Sequence, residues 1–239
     1  MTAAETDLLA RSLAAEAPLT WVITGDSITH GLVHTQGARS YAEHLHELIR
    51  GELERRRDIM INSAISGHRV AQILDDFERR IGAWSPQIVT LMIGTNDCST
   101  ADGVPFVEPA EFGASIAAFV ERVRGIGAIP VLQTPPSVDV AQDPDRGRIA
   151  DFARATRRVA AAQDVILVDQ LARFTALGNG DVLGEGAVPW GLMNDAIHPN
   201  AAGHAALALE LADALGIRPA PSRTLARLRA EVESGYLGI

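Results

Sequence analysis

The stretch Leu-Thr-Trp-Val-Ile-Thr-Gly-Asp-Ser-Ile-Thr-His-Gly at residues 19–31 decides the fold. Its first six residues are mostly apolar and β-branched, which predicts a buried strand over 19–24. The strand runs directly into a Gly-Asp-Ser turn. In an α/β sheet, turns at the carboxyl ends of the strands carry the ligand-binding and catalytic groups. The stretch therefore predicts an α/β protein with Ser27 at its functional edge.

Short apolar runs alternate with longer amphipathic ones along the rest of the chain, as in repeated β-α units. Strands are predicted over residues 19–24, 58–62, 87–93, 128–134 and 164–168. Helices are predicted over residues 41–56, 70–81, 109–124, 149–162 and 201–215. Together these elements predict a flavodoxin-like three-layer α/β/α sandwich with a central five-stranded parallel sheet.

The length of 239 residues favours one domain over 1–239, with a core at about 19–216. Residues 218–239 form a predicted helical extension with Leu225, Leu228 and Val232 at helical spacing. This apolar stripe either docks on the same chain or faces another subunit, which leaves a homo-oligomer through the C-terminal helix as an alternative.

Composition argues against several classes of protein. The formal net charge of -9 disfavours nucleic acid as a partner, because it repels phosphate backbones. A single cysteine, Cys98, excludes an internal disulfide. The sequence begins without a basic leader and has no apolar run of about 18 residues, so we expect a cytoplasmic protein with no stable membrane insertion.

Polar residues follow each of the first three predicted strands. Ser27 is a candidate nucleophile, although Asp and Ser at such a turn are also common helix N-caps. Gly67 and Asn96 end the next two turns and offer a backbone N–H and a side-chain amide, the donors that hold the negative oxygen of a tetrahedral acyl intermediate. The alternative for these two is a turn glycine and an Asx-turn asparagine.

A second pair of polar residues precedes the last predicted helix, in Asp195-Ala-Ile-His198-Pro. A neutral imidazole near Ser27 would accept its proton, and a carboxylate on the other ring nitrogen would orient the ring. The three-residue spacing allows that contact. Alone, such a histidine is more often a solvated or core residue, but with Ser27 in the chain we interpret the pair as a base and its partner.

These motifs resemble those of the SGNH hydrolases, also called the GDSL esterase and lipase family. In chain order they are Gly-Asp-Ser27-Ile, Gly67, Gly-Thr-Asn96-Asp and Asp195-Ala-Ile-His198-Pro. They follow the family's order and span nearly the whole chain, from Trp21 to about Leu215. The first motif has Ile28 where the family name has Leu. Any one motif is weak evidence, whereas the ordered set is strong.

The resemblance implies the same flavodoxin-like fold and a serine esterase that needs neither a metal nor an organic cofactor. Ser27 would attack the ester carbonyl, His198 would act as base and then acid, and Asp195 would orient it. The oxyanion hole would combine the backbone N–H groups of Ser27 and Gly67 with the Asn96 amide, and water would release the acyl group. Residue 29 is Thr, so the Gly-x-Ser-x-Gly elbow of the α/β-hydrolases is absent.

Other functions stay open at this level. An O-acyltransferase would use the same triad and differ only in excluding water. A non-catalytic flavodoxin-like module would bind phosphate in the turn at 24–29, but it leaves Asn96, Asp195 and His198 without a role. A metal enzyme is disfavoured because there is no His-Glu-x-x-His motif, and His30 and His34 fit surface or rim positions.

The substrate pocket is expected between loops that flank the predicted catalytic residues. Trp190 and the loops at 99–108 and 135–148 are its candidate lining. We expect the partner to be a small ester, with a short acyl group such as acetyl on a sugar or a small metabolite.

Overall fold

The computed structural model describes residues 3–180 and 184–237, and its centre is a parallel sheet. The strands are β1 (Thr20–Gly25), β2 (Ile59–Asn62), β3 (Ile88–Met92), β4 (Ile129–Gln133) and β5 (Ile166–Val168). Their order in the sheet is β2-β1-β3-β4-β5, and each neighbouring pair is parallel. This is the flavodoxin-like order, so the prediction of a five-stranded parallel sheet is confirmed.

Helices flank the sheet. They are α1 (Ala3–Ala14), α2 (Ser27–His30), α3 (Tyr41–Glu47), α4 (Val70–Asp75), α5 (Phe77–Arg80), α6 (Pro109–Gly125), α7 (Ile149–Gln163), α8 (Gln170–Leu177), α9 (Ala201–Ala214) and α10 (Arg223–Leu237). Short helical turns occur at Leu48–Glu52, Gly82–Trp84, Pro144–Arg146 and Trp190–Leu192. None of the helices in the described part of the chain has the length and apolar character needed to cross a bilayer.

Alternation along the strands creates an apolar core on each face of the sheet. Trp21 and Ile23 of β1 are buried on the face that also receives apolar residues of α3, α9 and α10. Val22, between them, is buried on the opposite face with residues of α4, α6 and α7. Successive side chains of a strand point to opposite sides, so a strand that is apolar throughout requires cover on both. The three layers follow from this requirement.

Several helix boundaries differ from the predicted ones. The helix predicted over 41–56 changes to a π-helical turn at Leu48–Glu52 and ends near Glu54, whose φ of +56° is incompatible with a right-handed helix. The helix predicted over 70–81 divides at Asp76, which has a φ of -108° and a ψ of 20°. Helices α1, α2 and α8 were not predicted.

The C-terminal extension docks on the same chain. Helix α10 packs against α9, and its apolar stripe of Leu225, Leu228 and Val232 is buried in the core on that face. Of the two placements predicted for this stripe, the structure shows the internal one. Packing on α9 also joins α10 to the helix that begins directly after His198, Pro199 and Asn200.

Candidate active site

The turn after β1 places Ser27 at the start of α2. Asp26 is the N-cap of this helix, and its Oδ1 accepts a hydrogen bond from the Ile28 N–H at 3.1 Å. The capping role expected of an Asp or Ser at this turn therefore belongs to Asp26. Gly25 is required because a Cβ there would lie 2.3 Å from the Met92 carbonyl oxygen. The close packing of this turn on β3 fixes the position from which Ser27 projects.

The Ser27 hydroxyl lies against His198. Its Oγ is 2.9 Å from His198 Nε2, and both residues are buried, with relative exposures of 8% and 9%. On the other side of the ring, Nδ1 is 2.9 Å from Asp195 Oδ2 and 3.0 Å from Oδ1. With Nδ1–H donating to the carboxylate, Nε2 becomes the acceptor for the serine hydroxyl. The structure thus brings together three residues that the sequence analysis selected from opposite ends of the chain.

The carboxylate of Asp195 is held by its own turn. Its Oδ1 accepts hydrogen bonds from the backbone N–H groups of Ile197 at 2.9 Å and His198 at 2.8 Å. Burial raises the pKa of Asp195, but these bonds and the one from the imidazole outweigh it, so the net pKa is lowered. Burial also lowers the pKa of His198, more than Asp195 raises it. At neutral pH the site therefore holds a charged carboxylate beside a neutral imidazole.

The segment that carries both residues is tied to α9 through Asn200. The Asn200 Oδ1 caps the helix by accepting from the Gly203 N–H at 3.1 Å, while Nδ2 donates to the carbonyl oxygens of Gly191 and Met193 at 3.0 and 3.3 Å. One side chain thus joins both ends of the 191–200 segment. The sequence pattern predicts only that a helix begins at residue 201 and does not reveal this role of Asn200.

Gly67 and Asn96 lie on the turns beside that of Ser27. Because β1 lies between β2 and β3, its turn is flanked by the two that carry these residues. Asn96 Nδ2 donates to the His68 carbonyl oxygen at 3.1 Å, which orients the carboxamide and links it to the turn of Gly67. Gly67 has a φ of +82° with open space around its Cα, a conformation that favours glycine.

Trp190 begins the short turn before Asp195, and its side chain is half exposed. It lines a cavity of about 330 Å³ together with parts of 138–141 and 185–188.

The 135–148 loop is joined to the Asp195 segment, since the Asp139 N–H donates to the Ala196 carbonyl at 2.8 Å. The 99–108 loop contacts the 135–148 loop, where the Thr100 N–H donates to the Asp145 carbonyl at 2.9 Å. The predicted lining of the pocket by these loops stays a prediction.

Two features of the site were not predicted. The His34 ring stacks on His198, with 3.5 Å between ring centroids and 4° between ring planes. Asp26 and Asp97 are buried carboxyls beneath the site, and burial raises their pKa values to about 7 and about 6. No sequence spacing signals either feature, because each depends on how separate turns pack.

One group of side chains comes close enough for metal binding. In the described part of the chain, ligand atoms of His34, Asp195 and His198 lie within 4.8 Å of one another. The two imidazoles are parallel, however, so the lone pairs in their ring planes run side by side and do not converge on a shared ion. This geometry fits a ring contact better than chelation.

Comparison with known proteins gives a match over most of the chain. The model of the GDSL-like Lipase/Acylhydrolase family matches residues 23–206. An acetylxylan esterase of Geobacillus stearothermophilus is 27% identical over 170 residues, covering 69% of this chain and 75% of that protein.

Solved structures give the same fold. An α/β hydrolase enzyme from the metagenome of Lake Arreo, Spain, has a TM-score of 0.68 at 26% identity, with 84% of this chain and 96% of that chain covered. A mutant of an acetyl-xylooligosaccharide esterase from Geobacillus has a TM-score of 0.68 at 25% identity, with 86% and 97% covered.

Proposed function

Because this chain belongs to the GDSL-like Lipase/Acylhydrolase family and is a carboxylic ester hydrolase, we propose that Ser27, His198 and Asp195 are its catalytic triad. The observation that carries the proposal is the continuous chain of contacts from the Ser27 hydroxyl through both nitrogens of His198 to the Asp195 carboxylate. This arrangement meets the geometric requirement for a serine activated by an oriented base.

Acyl transfer follows from the positions of the protons. Ser27 Oγ attacks the ester carbonyl while its proton passes to His198 Nε2, and Asp195 stabilises the imidazolium that results. His198 then donates that proton to the leaving alcohol oxygen, which leaves the acyl group on Ser27. A water molecule attacks the acyl-enzyme, gives a proton to His198, and the carboxylic acid departs as the proton returns to Ser27 Oγ.

The oxyanion of each tetrahedral intermediate needs donors that are in place beforehand. We assign this role to the backbone N–H groups of Ser27 and Gly67 and to the Asn96 amide. The bond from Asn96 to the His68 carbonyl uses one amide hydrogen and leaves the second for the oxyanion. The same bond holds the turns of Gly67 and Asn96 at a constant separation.

Acetyl esters of a short sugar chain are the proposed substrate class. The names of the related acetylxylan and acetyl-xylooligosaccharide esterases support this choice. The half-exposed indole of Trp190 offers an apolar face to a sugar ring at the mouth of the cavity beside the Asp195 segment. Water as the acyl acceptor is supported by the Asp195 side chain, which is 45% exposed and brings solvent to one edge of the proposed triad.

The proposal is tested by comparing wild type with Ser27→Ala on p-nitrophenyl acetate, butyrate and octanoate, and on an acetylated xylo-oligosaccharide. Turnover in wild type should be lost in the variant, with acetyl preferred over octanoyl. A fluorophosphonate probe should add to Ser27, as located by peptide mass spectrometry. Equal rates in the two proteins and no label on Ser27 would remove the triad assignment. Turnover of the nitrophenyl esters alone would remove only the sugar substrate.

A further inference from the structure

His34 lies on the segment between α2 and α3 and covers one face of the proposed base. Its ring is parallel to that of His198 to within 4° and at van der Waals distance, 3.5 Å between centroids. The contact is independent of the hydrogen bonds at the edge of the His198 ring, because stacking acts on the ring face.

The backbone of this segment is constrained where it presents His34. Val33 adopts a φ of +58°, which a β-branched residue rarely does, and the His34 N–H donates across it to the Leu32 carbonyl. Gln36 also has a positive φ, of 52°, and its side chain donates to Asn194 Oδ1, next to Asp195. Backbone strain of this kind persists where surrounding contacts impose it, and it clusters at functional sites.

We propose that His34 is a positioning residue, which holds the plane of the His198 ring so that Nε2 stays directed at Ser27 during acyl transfer. This inference rests on the proposed triad. The two hydrogen bonds of His198 hold its ring at Nε2 and Nδ1. They only weakly resist rotation of the ring about the line that joins these two nitrogens. The flat contact with His34 opposes that tilt. It is needed because Asp195 is half exposed, and water competes for its carboxylate.

The charge state of His34 also matters to the base. The imidazolium formed on His198 faces Asp195 on one edge, Arg146 from the 135–148 loop, His204 from α9, and the stacked His34. Asp195 favours this imidazolium, whereas Arg146 and a protonated His34 oppose it. Burial lowers the pKa of His204 to about 3, so that ring is neutral. The electrostatic effect of His34 therefore opposes the imidazolium, and its support of the reacting ring comes from the stacked face.

Three variants distinguish the effect of ring stacking from the effect of charge and from the loss of any histidine. His34→Ala removes both the ring and its charge, and His34→Phe keeps an aromatic face without the charge. His46→Ala is the matched control, because His46 is a part-exposed histidine on α3 whose ring contacts Arg50. We measure kcat and KM for p-nitrophenyl acetate from pH 4 to 9, with thermal melting as the test of folding.

At pH 8, His34→Ala should lower kcat by about tenfold with KM little changed, since misorientation of a catalytic group acts on the chemical step. His34→Phe should keep kcat within about twofold of wild type, because the stack remains. The acid limb of kcat/KM should move to higher pH in both His34 variants and stay in place in His46→Ala. Wild-type kcat in His34→Ala, or equal losses in the Ala and Phe variants, would overturn the proposal. If the triad itself is wrong, wild type will show no label on Ser27, which distinguishes that failure.

Discussion

At the scale of single residues, the proposed acyl transfer depends on the protonation of His198. Its neighbours act in opposite directions on the pKa, since burial lowers it and the Asp195 carboxylate raises it. The sequence motif indicates only the Asp195 carboxylate, whereas burial has the larger effect on the pKa of His198. Burial of the His198 ring arises only in the folded chain, where the His34 ring covers one of its faces.

The pH profile of the wild-type enzyme tests this balance. A base must be neutral to accept a proton, so kcat/KM should rise with pH through the pKa of His198. Because burial lowers that pKa, the acid limb should lie below the ordinary histidine value of about 6.5. Rates measured from pH 4 to 9 check this, and a limb above pH 7 would contradict it.

Of the proposed oxyanion donors, Asn96 is the one whose donor group can be removed by a side-chain substitution. Asn96→Ala should lower kcat by about a hundredfold or more with a small change in KM, because the donor acts mainly on the transition state. Gln163→Ala, which removes a carboxamide at the C-terminal end of α7, outside the loops of the predicted pocket, is the control and should retain wild-type kcat. An unchanged kcat in Asn96→Ala would exclude Asn96 from the hole.

At the scale of elements, α9 positions the segment that carries the proposed base. Asn200 performs two separable tasks there, as the cap acceptor for Gly203 and as the donor to two carbonyls of the 191–193 turn. An aspartate at this position would keep the first task and lose the second, because a carboxylate accepts but does not donate.

Replacing Asn200 therefore tests how the element supports the site. Asn200→Ala should cost about 1 kcal/mol of stability through the lost cap and should also lower kcat. Asn200→Asp should recover the melting temperature but not kcat, since the 191–193 carbonyls still lack their donor. Melting curves and kcat measured on both variants check the prediction. If both variants have wild-type kcat, the segment does not depend on Asn200.

At the scale of the whole molecule, stability should depend on pH through two buried carboxyls. Burial raises the folded-state pKa of Asp26 to about 7 and that of Asp97 to about 6, whereas an unfolded Asp has a pKa of about 3.9. The folded chain thus binds more protons than the unfolded chain between these values. This extra proton binding stabilises the fold fully below about pH 4, and the stabilisation is lost as pH rises towards 7.

Asp26→Asn isolates the larger of the two effects. Asparagine keeps an oxygen that accepts from the Ile28 N–H but carries no charge at any pH. The variant should match wild type below about pH 4 and melt higher at pH 8, by roughly 2–4 °C for each kcal/mol recovered. Glu121→Gln, on the exposed surface of α6, serves as the control. A melting difference that does not grow with pH would show that the fold does not raise the pKa of Asp26.

Much of this architecture was predicted from local patterns. All five strands lie close to their predicted positions, because strands of a covered parallel sheet read as short apolar runs. The long helices α6, α7 and α9 were also predicted, since their apolar faces repeat over several turns. Helix α8 was missed because it is short and begins directly after β5 at its cap, Asp169, whose side chain accepts from the Ala172 N–H.

The residues of the proposed triad were likewise identifiable from the chain, because Ser27, Asp195 and His198 sit in short motifs at the ends of predicted elements. The stacking of His34 on His198, the burial of Asp26 and Asp97, and the choice between the two predicted placements of α10 were not. Each of these joins residues that are distant in sequence, and each depends on which surfaces cover one another after folding. Periodicity and motif spacing record the local requirements of a strand, a turn or a helix, whereas solvent exposure and ring contacts exist only once those elements have packed.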